Sequence, residues 1–207
     1  KPTLYDKNSL QEWDWEDVNL LKESQGVRPH LKTDSIQYNV IQTLVRQDYD
    51  IVYDDDNAGE IADVITLKLI ENEIHVELYH LKFAHEGKIT SQIANFYEVC
   101  GQAQKSANWK YKEAEEMLNH LLRREIKKSS NGDECSRIYK GTHEKLIELM
   151  KLAKRKLPVK YSVFIVQPGV SKDSASDEIL SLLGVTESFL KERTGIELKV
   201  IVNKKSL

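Results

Sequence analysis

The first periodic pattern of apolar and polar residues is SIQYNVIQTLVRQ, which begins at Ser35. Its apolar side chains recur at intervals of three and four residues, which predicts an amphipathic helix. Asp34 or Ser35 is suited to cap the N-terminus of this helix. Residues 1–34 show no sustained period, so we expect an irregular N-terminal arm before a single α/β domain over residues 35–207.

Shorter apolar runs follow the helix and predict strands. DYDIVYDDD favours a short strand around Tyr49–Tyr53. The next two runs, Ile61–Ile70 and Ile74–Phe83, are separated by the polar residues Glu71-Asn72-Glu73, which suit a tight turn. We therefore expect an antiparallel hairpin after the first strand.

The second half of the chain alternates helical patterns with two apolar strand patterns. SSNGDECS, at Ser129–Ser136, is the clearest loop. The remaining predicted helices cover Ser91–Tyr111, a charged stretch that continues from there to about Lys128, Thr142–Arg155 and Ser176–Thr194. The remaining predicted strands cover Tyr161–Gly169 and Ile196–Val202. The order predicts a mixed central sheet with helices on both sides and a helical insertion at about 112–157.

Composition and charge narrow the class of protein. Of 207 residues, 40% are hydrophobic and 30% charged, which is typical of a soluble globular domain. The formal net charge of −3 means that any nucleic-acid site must be a local patch. No run is long enough to cross a membrane. Cys100 and Cys135 do not make a disulfide framework, so we expect a reducing, cytoplasmic location.

Three residues of the predicted hairpin raise the question of chemistry. Side chains alternate across a strand, so His80 and Lys82 share one face, about 7 Å apart. Asp63, on the antiparallel neighbour, is expected beside them. A carboxylate that holds a divalent cation, an imidazole and an ammonium would together suit hydrolysis of a phosphodiester. Taken singly, each residue is more often structural or solvated.

These residues and the element order carry a resemblance. An α-β-β-β-α-β order with an acid on the second strand and a lysine on the third resembles the PD-(D/E)xK nuclease superfamily, which includes restriction endonucleases, Holliday-junction resolvases and RecB-type nucleases. The resemblance implies a restriction-endonuclease-like core and a metal-dependent nuclease acting on DNA. It implies that Asp63 binds metal and that Lys82 is catalytic.

A narrower resemblance concerns three segments. GEIADVI, YHLKFA and FYEVCGQAQKSANW are similar to a bacterial group of such domains, fused to or encoded with superfamily 2 helicases in restriction and phage-defence systems. That similarity implies DNA and a helicase domain or subunit as partners. Many nucleases of this fold cut duplexes as dimers, so a homodimer is an open alternative.

His80 departs from the family pattern, which has Glu or Asp at this position. Mg²⁺ prefers oxygen ligands, whereas Mn²⁺ accepts imidazole more readily. His80 therefore favours Mn²⁺, or acts as a base, or another acid supplies the missing oxygen. Glu60 is the first candidate for that acid, ahead of Glu23 in the arm and of Glu77, which faces the wrong side. The departure also leaves open a catalytically inactive module that binds nucleic acid or a protein partner.

The predicted helix over Ser91–Tyr111 carries the remaining candidates. Its polar stripe contains Gln102 and Lys105, and either this stripe is a solvated face or the two residues point at the site. RecB-type nucleases carry a glutamine on this helix, so the resemblance favours a catalytic role for Gln102. Gln104 and Lys110 are further candidates for nucleic-acid contact. The first predicted helix, where the family often has a glutamate, offers Gln37 as its only polar candidate.

Runs of charge are the least specific signals. Acids at Asp54–Asp56 either bind metal, repel nonspecific DNA or are simply solvated. Basic residues provide either solvated helix faces or phosphate contacts. They are Arg123, Arg124, Lys127, Lys128, Lys151, Lys154, Arg155, Lys156 and Lys160.

Overall fold

The computed structural model describes residues 3–130 and 136–206. In this part of the chain, seven strands form one mixed sheet in the order β1-β7-β6-β4-β3-β2-β5. The strands are β1 (Gln11–Trp13), β2 (Ile51–Asp54), β3 (Val64–Ile70), β4 (Glu73–Leu81), β5 (Ile138–Lys140), β6 (Val159–Ser171) and β7 (Glu197–Asn203). The α/β class with a mixed sheet between helices is therefore confirmed.

Helices cover both faces of the sheet. The helices are α1 (Ile36–Val45), α2 (Ala94–Lys105), α3 (Ala107–Lys110), α4 (Ala114–Ser130), α5 (His143–Lys154) and α6 (Asp177–Thr194). The apolar face of α1 packs on one side with Trp15 and Leu20. On the other side, buried residues of α2, α4, α5 and α6 form the larger core. Two apolar layers on one sheet explain why the central strands are buried on both faces.

The predicted hairpin is confirmed, but its strands are shorter than expected, so Asp63 and Lys82 lie just outside the strands and not within them. β3 and β4 pair antiparallel, with Ile65 opposite Leu78, and β4 pairs parallel with β6. Asp63 directly precedes β3 and Lys82 directly follows β4. Both residues therefore lie at one end of the sheet, where β3 begins and β4 ends.

The N-terminal region is more ordered than its sequence suggests. The prediction that residues 1–34 are irregular is wrong for β1, which pairs in parallel with the last strand, β7. Nearby, Trp15 is buried and its Nε1 donates a hydrogen bond to the carbonyl oxygen of Val202, 3.2 Å away. A strand of three residues is too short to show a period, and its partner lies almost at the other end of the chain.

The predicted helix over Ser91–Tyr111 is divided into two, α2 and α3, and the predicted helical stretch that follows it corresponds to α4. α2 ends at Lys105, α3 follows after Ser106, and α4 begins at Ala114. The expected insertion corresponds to α4, β5 and α5. Strand β5 was not predicted; it adds three residues to the edge of β2. Residues 131–135 of the predicted loop lie outside the described residues.

Two predicted helix caps, at Ser35 and Gly195, are confirmed. Ser35 accepts a hydrogen bond from the backbone N–H of Tyr38, and Gly195 ends α6 with a φ of 68° in the left-handed region that glycine tolerates. In the described ranges, none of the helices combines the length and apolar character needed to cross a bilayer.

Candidate active site

Three carboxylates converge in front of the β3–β4 hairpin. Ligand oxygens of Asp56, Glu60 and Asp63 all lie within 4.8 Å of one another. Glu60 and Asp63 are the two acids that the sequence predicts as metal ligands. Asp56 is one of three consecutive aspartates for which metal binding was an open alternative, and the sequence has no signal that separates it from Asp54 and Asp55.

A tight loop brings Asp56 and Glu60 together. The backbone N–H of Asn57 donates to Oδ1 of Asp56 at 2.7 Å and to Oε2 of Glu60 at 3.1 Å. Asn57 and Gly59 have φ values of 92° and 88°, and this part of the backbone map favours glycine and admits asparagine. The sequence NAGE therefore folds back so that acids four residues apart face the same point.

The surroundings of Asp63 disfavour the charged form of its carboxyl group. It is 7% exposed, and its Oδ2 accepts a hydrogen bond from the backbone N–H of Leu81 at 2.8 Å. Burial raises the pKa of Asp63 well above its usual range, and Glu60, Glu23 and Asp56 raise it further, although the bond from Leu81 opposes them. Burial likewise raises the pKa of Glu60. A bound cation would offset this repulsion.

Neither Lys82 nor Arg124 forms an ion pair with the three acids. Lys82 pairs with Glu23 and Glu98, and Arg124 pairs with Asp55, although the charge of Arg124 also acts on Glu60. Three converging carboxylates, one of them buried, fit a hard divalent cation such as Mg²⁺ or Mn²⁺, which binds carboxylate oxygens. Mg²⁺ or Mn²⁺ stays a prediction, because an acidic cluster that could hold a metal does not identify the ion.

The insertion helix α4 supports this loop. Arg124 Nη1 donates to the carbonyl oxygen of Ala58 at 2.9 Å, and its Nη2 donates to that of Asp55 at 2.7 Å. Its Nε also lies 2.6 Å from the buried carboxylate of Asp55. One helical turn earlier, His120 Nε2 is 2.9 Å from the carbonyl oxygen of Gly59. Arg124 thus organises the acidic loop, a role that its place in a basic run did not indicate.

Lys82 lies at the same end of the sheet as Asp63 and forms ion pairs with two other carboxylates. Its ammonium is 2.9 Å from Glu98 on α2 and 3.3 Å from Glu23 in the N-terminal arm. Glu23 also accepts a hydrogen bond from the N–H of Phe83 at 2.9 Å. Burial lowers the pKa of Lys82, but Glu98 and Glu23 outweigh burial and raise it. Lys82 therefore stays charged, and Glu23, which raises the pKa of Asp63, joins the lysine to the acids.

His80 is not brought into the acidic cluster. Its ring is buried, and Nε2 lies 2.7 Å from the hydroxyl oxygen of Ser106, at the break between α2 and α3. Burial, with a smaller contribution from Lys105, lowers the pKa of His80 to about 4. The imidazole is therefore neutral at pH 7. Its predicted roles as metal ligand or base gain no support from these contacts.

Glu77 and Gln37 take other positions. As expected, Glu77 faces away, and its Oε2 accepts bonds from the hydroxyls of Tyr49 and Tyr79 at 2.6 and 2.7 Å. Gln37, on α1, donates from Nε2 to Asp54 at 2.9 Å and to the carbonyl oxygen of Asp63 at 3.4 Å. Gln37 thus supports the backbone of the site from behind and does not enter it.

A cleft of about 310 Å³ opens beside the acids. Both of the α2 residues predicted to face the site, Gln102 and Lys105, lie in its wall. The Oε1 atom of Gln102 is buried and has no hydrogen-bond partner among the described residues. The lining residues are Glu60, Ile61, His80, Gln102, Lys105, Asn108, Trp109 and Lys112.

Two of the predicted nucleic-acid contacts point elsewhere. The amide of Gln104 donates to the hydroxyl of Thr186 on α6 at 3.3 Å. The ammonium of Lys110 lies over the ring of Tyr161, 6.0 Å from its centroid. Neither residue lines the cleft, so the structure does not bring Gln104 or Lys110 to the acids.

Comparisons with known proteins identify no relative. No family model matches the chain, and neither a curated protein nor a solved structure is significantly similar to it.

Proposed function

We propose that this chain is a divalent-metal-dependent nuclease that hydrolyses phosphodiester bonds in DNA. The observation that carries the proposal is the convergence of Asp56, Glu60 and Asp63 at the sheet end where Lys82 also lies. A carboxylate cage and a charged lysine at one sheet end are the two parts that phosphodiester hydrolysis needs, one to hold a cation and one to stabilise charge.

The order of elements supports the same proposal. Apart from α3, α4, β5 and α5, which lie between α2 and β6, the elements from α1 to β6 have the order α-β-β-β-α-β, with Asp63 and Lys82 bordering β3 and β4. We infer that these elements form a restriction-endonuclease-like core, as the resemblance to PD-(D/E)xK nucleases implies. Asp63 would then be the acid of the second core strand and Lys82 the lysine of the third.

Each residue has a chemical task in this proposal. A divalent cation held by the three acids supplies Lewis-acid activation of water and neutralises phosphate charge. Hydrolysis joins the oxygen of water to phosphorus and breaks the bond from phosphorus to the leaving oxygen. Lys82 is protonated, so it donates hydrogen bonds to the developing negative charge and does not act as a base. Glu23 and Glu98 hold its ammonium in place.

Cleavage assays test the proposal. Supercoiled plasmid, linear duplex and single-stranded DNA are each incubated with Mg²⁺, Mn²⁺ or EDTA. We expect cutting only with metal, and a loss of about 100-fold or more in Lys82→Met. Lys68→Met is the matched control, since Lys68 also pairs with an acid but lies on β3 away from Asp63. Cutting in EDTA, cutting by Lys82→Met at the wild-type rate, or no cutting with any metal would refute the proposal.

One observation favours a second function. His80 stands where the family has an acid, and it bonds Ser106 instead of joining the carboxylates. This arrangement fits an inactive nuclease-fold module that binds nucleic acid or a protein partner. Tight DNA binding without cutting, unchanged in Lys82→Met, would support this alternative.

The wider setting follows from the resemblance alone. We propose a cytoplasmic protein that works with a helicase domain or subunit in phage defence or repair. Assembly as a homodimer stays open, and the sedimentation of the chain with and without DNA would test it.

A further inference from the structure

The cleft beside the acids continues into a second one. The second cleft has a volume of about 320 Å³ and shares Trp109 and Lys112 with the first. Its remaining lining residues, Glu116, Asn119, His120 and Arg123, come from α4. Together the two clefts make a channel, called here the α3–α4 channel, that runs from Glu60 at the acidic cluster past Trp109 to Arg123.

Three cations along the α3–α4 channel are available for a ligand. Lys105, Lys112 and Arg123 are exposed, and within residues 3–130 and 136–206 none of them forms an ion pair with a carboxylate. Lys112 rests over the indole of Trp109, 4.5 Å from the ring centroid. Surface lysines without acidic partners cost little to pair with phosphates. The channel therefore offers three phosphate contacts in sequence.

Trp109 and Gln102 add features that a phosphate alone does not need. Trp109 borders both clefts, and movement of the exposed Lys112 ammonium toward a phosphate would free an indole face for a base. The buried Oε1 of Gln102 lacks a hydrogen-bond donor in the described chain, and an unsatisfied buried acceptor is costly unless a ligand satisfies it. The exocyclic amino or ring N–H group of a base is such a donor.

We propose that the α3–α4 channel binds an unpaired DNA strand, with a base stacked on Trp109 and its phosphates on Lys105, Lys112 and Arg123. Base–aromatic stacking requires an open base face, which a duplex buries between neighbouring pairs. The proposal rests on the proposed function in one respect only, because that function makes the Glu60 end of the channel the end where the strand is cut.

Binding in EDTA separates this proposal from catalysis. Fluorescence anisotropy of labelled (dT)12 is measured at 50 and 200 mM salt, with a 12-base-pair duplex for comparison. We expect the strand to bind more tightly than the duplex. Trp109→Leu should weaken binding about tenfold, whereas Trp109→Phe, which keeps an aromatic face, should stay within about threefold of wild type.

Charge is tested by a matched pair of double variants. Lys112→Ala with Arg123→Ala should lower the salt dependence of strand binding by about 1.4 in logarithmic slope, since each phosphate contact contributes about 0.7. Arg46→Ala with Lys191→Ala removes the same charges from the C-cap of α1 and from α6, outside the channel, and should leave the slope unchanged.

Four outcomes would refute the proposal that the channel binds an unpaired strand: no strand binding, tighter duplex binding, equal effects of the two Trp109 variants, or equal slopes in the two double variants. Strand binding that depends on Trp109 without cutting in any metal would keep the channel and refute the nuclease. Metal-dependent cutting without such binding would do the reverse.

Discussion

Asp63→Asn isolates the electrostatic cost of the acidic cluster. Asparagine keeps an oxygen that can accept the hydrogen bond from Leu81, and its new amide group lies near Asp56 and Glu60, which accept hydrogen bonds. The substitution therefore changes charge more than shape. A raised carboxyl pKa means that the folded state holds its proton more tightly than the unfolded chain, so stability is lost as pH rises through the ordinary carboxyl pKa toward the raised value. At pH 7 without metal, Asp63→Asn should stabilise the protein.

Bound metal should reverse the order of thermal stability of the wild type and Asp63→Asn. A cation at 100 times its dissociation constant stabilises the folded state by about 2.7 kcal/mol. For 207 residues the entropy of unfolding is about 0.4 kcal/mol/K, so this stabilisation corresponds to a rise in Tm of about 6 °C. We expect that rise in the wild type, and a rise near zero in Asp63→Asn, because the variant removes both a ligand and the charge that the cation offsets.

Calorimetry in EDTA, Mg²⁺ and Mn²⁺ measures both effects. Asp173→Asn, an exposed acid away from the cluster, is the control and should keep the wild-type rise with metal. The reasoning fails if Asp63→Asn melts below the wild type in EDTA at pH 7. It also fails if the variant keeps the full metal-dependent rise.

Three further predictions follow from the same geometry. Lys82→Met should keep the metal-dependent rise in Tm while losing cleavage, because Lys82 acts on phosphate and not on the cation; loss of both in parallel would contradict this. The pKa of His80, about 4 when folded against about 6.5 in the unfolded chain, means that the unfolded state binds more protons between these values. Urea denaturation should therefore show about 3 kcal/mol of stability lost from pH 6.5 to 4, and His80→Gln should lack this part. Arg124→Met should lower the free energy of unfolding by about 3 kcal/mol, since Asp55 stays buried without its partner. The same variant should weaken Mn²⁺ binding about tenfold. Arg124→Met with Asp55→Asn should recover stability, and equal stability of the single and double variants would refute the role of the pair.

The fold was predictable where elements are long and periodic. The helix at residues 36–45, the β3–β4 hairpin and α6 with its Gly195 cap follow directly from spacing and turn residues. β1 and β5 were not predictable, since each has three residues and gains its stability from a distant partner strand. The break at Ser106, where the hydroxyl contacts His80, was also missed, because no glycine or proline marks it in the sequence.

The site was predictable in part for the same reason. Alternation along the hairpin predicted that Asp63 and Lys82 share one sheet face, and the structure places both at one end of the sheet. The turn before the hairpin predicted that Glu60 lies near Asp63. Asp56 required the loop geometry, and the support from Arg124 required knowledge of how α4 packs on that loop. His80 shares the strand face as expected, but burial and Ser106 determine where its ring nitrogen bonds.

The position of a bound cation tests most directly whether the three carboxylates form a metal site. Crystals of the wild-type chain grown with Mn²⁺ would be measured for anomalous scattering at the manganese edge. We expect a peak that is coordinated by carboxylate oxygens of Asp56, Glu60 and Asp63. A peak at His80 without these acids, or no peak at the cluster in Mn²⁺ well above the concentration that shifts the Tm, would contradict it.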